Sequence, residues 1–219
     1  MTLQTQLDAF KADLEAGMPP AVLKVLHRAI DNLITSGAAG RALKAGDKAP
    51  AFVLNDPMGQ PVSSNALLAR GPLVISFYRG VWCPFCNIEL KALQAELPNY
   101  RALGASLVAI SPQTEANSRQ SQHDNSLSFP ILSDPGNAIA AAFGLRYALG
   151  DELVELHKAL NIALPDFNGD DSWTLAMPAR YVVGPDGLIL YAEVNPDATR
   201  RPEPSDLLPA LRGAAARVV

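Results

Sequence analysis

"GPLVISFYRGVWCPFCNIELKALQ", residues 71–94, changes its hydrophobic period half-way along. Up to Tyr78 it is a continuous apolar run, as expected of a central strand buried on both faces. Beyond Pro84 the period is helical: Ile88, Leu93, Leu97 and Tyr100 recur on one stripe, with Leu90 beside them. The switch from strand to helix falls on Cys83 and Cys86, the only cysteines in the chain. Pro84 suits the first helical position, where its missing N–H costs nothing. The next apolar run, "GASLVAIS" (104–111), closes a β-α-β unit of the expected length.

Working outward, "AGDKAPAFVLND" (45–56) opens a compact domain, and "DPMGQPVS" reads as the turn of a hairpin. "TEANSRQSQHDNS" is a polar helix or loop, and "FPILSD" (129–134) is a short strand or extended segment. "PGNAIAAAFGL" is a helix closed by Gly144, and "DELVELHKAL" (151–160) is helical as well. "PDFNGDDSW" (165–173) reads as a loop, and "ARYVVGPDGLILYAEV" (179–194) as two strands around a GPDG turn. The tail "EPSDLLPALRGAAARVV" reads as a closing helix with Ser205 as its cap. A β-α-β half, a connecting helical region, then a hairpin and a helix give the layout of an α/β thioredoxin-like fold, a central mixed sheet flanked by helices. Ahead of it, Leu3, Leu7, Phe10 and Leu14, then Val22, Val25, Ala29, Ile30 and Leu33, follow helical spacing. Residues 1–44 are therefore predicted as a helical extension and 45–219 as the thioredoxin-like domain. The apolar stripes of the extension need cover, from the core or from a second subunit in a homodimer.

Composition narrows the function classes. The 219 residues carry a net charge of −4, with 48% hydrophobic and 18% charged residues. No Lys/Arg run offers a nucleic-acid footprint, and no apolar stretch approaches the ~20 residues that span a bilayer. The N-terminus lacks the basic and apolar regions of a secretory signal. The expected location is cytoplasmic, where a Cys-x-x-Cys is catalytic or metal-binding more often than structural. A zinc site needs further ligands; His27, His123 and His157 are scattered, and no second Cys-x-x-Cys exists. Plain core thiols would need neither the intervening Pro84 nor the preceding Trp82. The dithiol is therefore read as a redox centre, with no metal or other cofactor required.

Sulfurs at a helix N-terminus face unpaired backbone N–H groups and the positive end of the helix dipole. Such sites lower a cysteine pKa from roughly 8.5 into a range of about 3.5–7.5. Arg79, four residues before Cys83, adds a positive charge. Positions i and i+3 are neighbours on a helix, so the two thiols can close to a disulfide with little backbone movement. Trp82 is placed to shield the dithiol and shape the surface where a partner docks.

"GDKAPAFVLND…GQPVS" followed by "VISFYRGVWCPFCNIELKALQ" resembles the alkyl hydroperoxide reductase/thiol-specific antioxidant family, the peroxiredoxins. The likeness is to a bacterial group with a WCPxC motif. It continues through "GASLVAISPQT", "FPILSDPGNAIAAAFGL", "FNGDDSWTLAMPARYVVGPDGLILYAEVNPD" and "RPEPSDLL". By this resemblance Cys86 occupies the peroxide-attacking position, Cys83 that of a Thr or Ser, and Arg79 that of a proline. Thioredoxins instead place their nucleophile first, at the position of Cys83. Pro178 stands where the resemblance implies an active-site arginine in peroxiredoxins and a cis-proline in thioredoxins. Arg180, two residues on, shares its strand face with Pro178.

The resemblance implies a peroxidase that reduces hydrogen peroxide or organic hydroperoxides and is recycled by thioredoxin or a glutaredoxin-like dithiol. Cys86 is expected to attack and Cys83 to resolve. Two other functions fit the same residues: a general thiol–disulfide oxidoreductase acting on protein partners, and a non-catalytic redox sensor.

Overall fold

The computed structural model describes residues 1–215, so the last four residues of the predicted closing helix lie outside the described chain. The apolar run ahead of the cysteines forms strand β3 (Leu73–Phe77), buried at every position. Its neighbours explain why. It pairs in parallel with β4 (Ser106–Ser111) on one side and antiparallel with β8 (Ala179–Val183) on the other. Helix α4 (Pro84–Ala102) makes the crossover between β3 and β4. The sheet is completed by β5 (Ile131–Ser133) beside β4, the hairpin of β1 (Val53–Asn55) and β2 (Pro61–Ser63) beyond it, and β9 (Ile189–Val194) at the opposite edge. The order is β2-β1-β5-β4-β3-β8-β9, seven strands of mixed direction.

Two apolar layers cover the faces. On one, α4 brings Leu90, Leu93, Leu97 and Tyr100 against Val74, Leu107 and Val182. On the other, Phe77, Phe143 and Tyr181 pack ring to ring, with centroids 4.9–6.2 Å apart. Gly144 closes the short helix α6 (Ala138–Ala142) at φ +75°; a Cβ there would stand 2.4 Å from the Arg41 carbonyl oxygen. Glycine is thus required both by backbone angle and by close approach.

The first helices pack directly on this framework. Helix α1 (Leu3–Ala16) buries Leu3 and Leu7 in the α4-side core, and Phe10 meets Phe85 edge to face at 5.3 Å. Its N-terminus is held from the far end of the chain: the Leu3 and Gln4 N–H groups donate to the Glu203 carboxylate at 3.0 and 3.2 Å. Helix α2 (Pro20–Thr35) is different. It is amphipathic, yet none of its residues is fully buried.

The segment after β4, left open between polar helix and loop, is the helix α5 (Glu115–Asp124). Other expectations need correction. The stretch read as a loop over 165–173 contains a short helix, α8 (Leu164–Asn168), which a Pro in its first turn favours. Strands β6 (Arg146–Ala148) and β7 (Thr174–Ala176) form a separate antiparallel pair around helix α7 (Asp151–Ala159). Three-residue strands leave too little period to read. Ser205 is not a cap: Glu203 and Asp206 cap the 3-10 turn Pro204–Leu207, which leads into α9 (Leu208–Ala215).

Candidate active site

Strand β3 delivers the chain to a tight loop, residues 78–83, whose shape is fixed by side chains from other elements. Gln113 accepts from the Val81 N–H at 2.8 Å and donates to the Tyr78 hydroxyl at 2.6 Å. Asn87, one turn into α4, donates to the Val81 carbonyl at 2.8 Å. Gly80 sits at φ +150°, where a Cβ would come within 2.6 Å of the Trp82 indole nitrogen. The loop can turn Trp82 inward only because residue 80 has no side chain.

Cys83 is the N-cap of α4 and Pro84 its first residue, as the motif predicts. Both thiols are unbridged and completely buried. The Cys86 backbone N–H donates to Cys83 Sγ at 3.3 Å, and Arg79 Nη2 donates to the same sulfur at 3.2 Å. Burial alone would push the Cys83 thiol up. The Cys86 thiol donating to it, the charges of Arg79 and Arg201, and the Cys86 N–H together pull it down to about 5. Cys86 moves the other way. Burial raises it, and so does the neighbouring Cys83 sulfur, against the opposing pull of Arg79 and Arg201. The two thiols titrate as a pair, and these surroundings favour the thiolate at Cys83.

A second cationic layer lies behind Cys86. Glu89, one turn further along α4, is buried between Arg180 of β8 and Arg201 of the loop after β9. Arg180 Nε donates to one carboxylate oxygen at 2.9 Å and Arg201 Nε donates to the other. Burial would raise the Glu89 carboxyl, but Arg201 and Arg180 outweigh it and hold the group ionised. Arg201 extends its Nη2 to 3.9 Å from Cys86 Sγ. Arg201 thus reaches Cys86 directly, whereas Arg180 acts one step removed, through Glu89. Pro178 borders the same arginine pocket, and no peptide among the described residues is cis.

Trp82 is half-buried, with Arg79 stacked 5.2 Å above its ring and His157 of α7 edge-on at 5.6 Å. His157 Nδ1 donates to the Leu153 carbonyl at 2.8 Å. Burial and then Arg79 push its pKa down, so the ring is neutral. Tyr147 of β6 lies beside Arg79, its phenol raised by burial.

Glu89, Arg201, Gln113 and Tyr147 escaped the sequence reading. A signal existed for Glu89, a charge on the row Cys86, Glu89, Leu90, Leu93 that the helical period sends inward. For Arg201, in an irregular Pro-rich loop, no local signal exists.

Residues 45–192 match the AhpC/TSA family. The chain belongs to that family. Among its relatives, a Mycobacterium tuberculosis protein named as a peroxiredoxin (Rv2521) is 28% identical over 157 residues, covering 72% of this chain and 88% of that protein. The thiol-disulfide oxidoreductase ResA of Bacillus anthracis is also 28% identical, over 134 residues, covering 56% of this chain and 76% of ResA. In three dimensions the chain is similar to peroxidoxin BcpB of Mycobacterium tuberculosis, with a TM-score of 0.61 at 24% identity over 78% of this chain and 97% of that one. It is therefore an AhpC/TSA chain with a thioredoxin-like fold, similar to peroxiredoxins and to thiol–disulfide oxidoreductases alike. The family match includes the dithiol, Arg79, Glu89 and Arg180. Helices α1 and α2 and Arg201 lie outside it.

Proposed function

We propose that this AhpC/TSA protein is a thiol peroxidase that reduces hydroperoxides through a Cys83/Cys86 dithiol–disulfide cycle. The observation that carries the reading is the convergence of the Arg79 guanidinium and the Cys86 N–H on Cys83 Sγ, which supports a thiolate at neutral pH. The same observation favours exchanging the roles expected from the sequence: Cys83 attacks and Cys86 resolves. The Cys83 thiolate attacks the hydroxyl oxygen of ROOH. An S–O bond forms, the O–O bond breaks, and RO⁻ leaves and takes up a proton as ROH. The Cys86 thiol then condenses with the sulfenic acid, forming the disulfide and releasing water. A cellular dithiol of the thioredoxin or glutaredoxin type restores both thiols by exchange through a mixed disulfide.

The experiment is sulfenic-acid trapping after one equivalent of peroxide. Cys86→Ser is expected to give a trappable sulfenate at Cys83, and Cys83→Ser to give none. The reverse pattern returns the attacking role to Cys86. No oxidation of either variant, or of wild type, removes the peroxidase reading.

A second reading, a thiol–disulfide oxidoreductase acting on protein partners, has the nucleophile-first order of the dithiol in its favour. Reduction of insulin disulfides without turnover of peroxide would select it. A cytoplasmic site of action and a homodimer belong to the proposal as well.

A further inference from the structure

Arg201 enters the site from residues 195–203, a stretch that lies in no helix or strand. Its backbone N–H has no ladder to donate to and needs another acceptor. Gln4 of α1 supplies one: the Arg201 N–H donates to Gln4 Oε1 at 3.0 Å. Gln4 Nε2 donates in turn to the Thr199 carbonyl at 3.2 Å and to Asp8 at 2.8 Å. One side chain thus holds the backbone on both sides of Arg200, while the Leu3 and Gln4 N–H groups hold Glu203 just beyond. From this anchored backbone the Arg201 side chain runs inward, only 2% exposed. Its Nη1 donates to the Arg200 carbonyl at 2.7 Å, its Nε donates to Glu89, and its Nη2 lies 3.9 Å from Cys86 Sγ.

From this geometry we infer that Gln4 is a positioning residue for the second thiol: by holding the 199–201 backbone it aims Arg201 at Cys86 and speeds closure of the Cys83–Cys86 disulfide. The charge matters most in that step. While Cys83 is a thiolate, its sulfur opposes a second thiolate at Cys86. Once Cys83 is bonded to an oxygen or to another sulfur, that opposition is gone. Arg79 and Arg201 are then left to favour ionised Cys86 against the cost of burial. The other titratable neighbours, the phenols of Tyr78 and Tyr147, are held protonated by burial. In closure Cys86 gives up its proton, its electron pair forms the S–S bond, and the group on Cys83 leaves with the pair of the bond that breaks. The inference rests on the order proposed above, Cys83 first and Cys86 second, and holds for either reading of the dithiol.

The test is stopped-flow reaction of the reduced full-length protein with one equivalent of dithiobis-nitrobenzoate, an aromatic disulfide. Cys83 releases the first coloured nitrothiobenzoate, and Cys86 releases the second as it closes the disulfide, so the two phases report the two sulfurs. Gln4→Ala is expected to slow the second phase about tenfold at neutral pH, the low end of what an opposite charge within about 4–6 Å supplies. The first phase is expected to stay nearly unchanged. The deficit is expected to shrink as pH rises, because Arg201 favours the thiolate only where Cys86 is still largely protonated. In an Arg201→Met background, Gln4→Ala is expected to add nothing. Leu7→Ala, which loosens α1 but keeps the Gln4 contacts, is expected to lower the melting temperature and spare the second phase. A second phase that Gln4→Ala leaves unchanged overturns the inference. So does a slowing that is equal at every pH, one that Leu7→Ala reproduces, or one confined to the first phase. The Gln4→Ala and Leu7→Ala comparison stands without the Arg201 variant, so a misfolded Arg201→Met protein does not protect the inference. No peroxide enters this assay, so its failure is distinct from failure of the peroxidase reading.

Discussion

Cys83 and Cys86 are chemically identical residues one helical turn apart, and their surroundings push their pKa values in opposite directions. Burial acts on both; Cys83 has the donors, and Cys86 has the Cys83 sulfur as its negative neighbour. Thiolate is the deprotonated form, so a depressed pKa extends reactivity to lower pH. Iodoacetamide alkylation of Cys83 in the wild-type protein is expected to rise through about pH 5 and to be level by neutrality. Replacing Arg79 by Met removes the closest opposite charge. Its alkylation profile is expected to move to higher pH, toward the roughly 8.5 of an ordinary thiol. Ultraviolet titration of the thiolate provides an independent check. A profile unmoved by Arg79→Met would show that Arg201, the Cys86 thiol and the helix N-terminus set the thiolate without Arg79.

At the scale of elements, α4 carries two kinds of information on one face. Leu90, Leu93 and Leu97 weld it to the sheet, while Glu89 ties it to β8 and to the loop after β9 through two arginines. Removing one partner of a buried ionic cluster leaves charge uncompensated at low dielectric, at a cost of about 3–5 kcal/mol. Glu89→Gln keeps the shape and deletes the charge. It is expected to destabilise the protein by about that amount in urea titrations. Helix α1 is held by apolar contact instead. Leu7 has no exposed surface, and Leu7→Ala is expected to cost about 2–5 kcal/mol through the cavity it leaves.

For the whole molecule, the two ends of the chain meet at α4. The Glu203 carboxylate caps α1, and Arg201, two residues earlier, reaches Cys86. Both contacts close loops of more than a hundred residues around the family's core. Deleting residues 1–36 removes Leu3, Leu7 and Phe10 from their contacts and uncovers Phe85 beside the dithiol. The truncated protein is expected to melt at lower temperature and to bind a hydrophobic dye. The pH midpoint for alkylation of Cys83 is expected to stay put, because Arg79 and the α4 N-terminus remain. An unchanged melting temperature would show that the extension adds nothing to the core.

Local pattern was enough for everything whose cause is local. The change of period at residues 78–84 locates β3, α4 and the dithiol, because strand and helix periods differ and Pro84 marks the joint. The GPDG turn and the hairpin near Gly59 were legible for the same reason, since turn chemistry is written in adjacent residues. The short strands β6 and β7 were not, having too few residues to show a period. The site divides along the same line. Cys83, Cys86, Arg79 and Pro84 stand within eight residues of one another, and the sequence alone nominated them. Which sulfur is the thiolate depends on donors and charges brought together in space, and the proposed exchange of roles, Cys83 attacking in place of Cys86, rests on those. Arg201 lies 115 residues from Cys86 along the chain and reaches it only because the loop after β9 folds back across α4. No periodicity or motif encodes a contact of that length; it exists only once the sheet has been assembled.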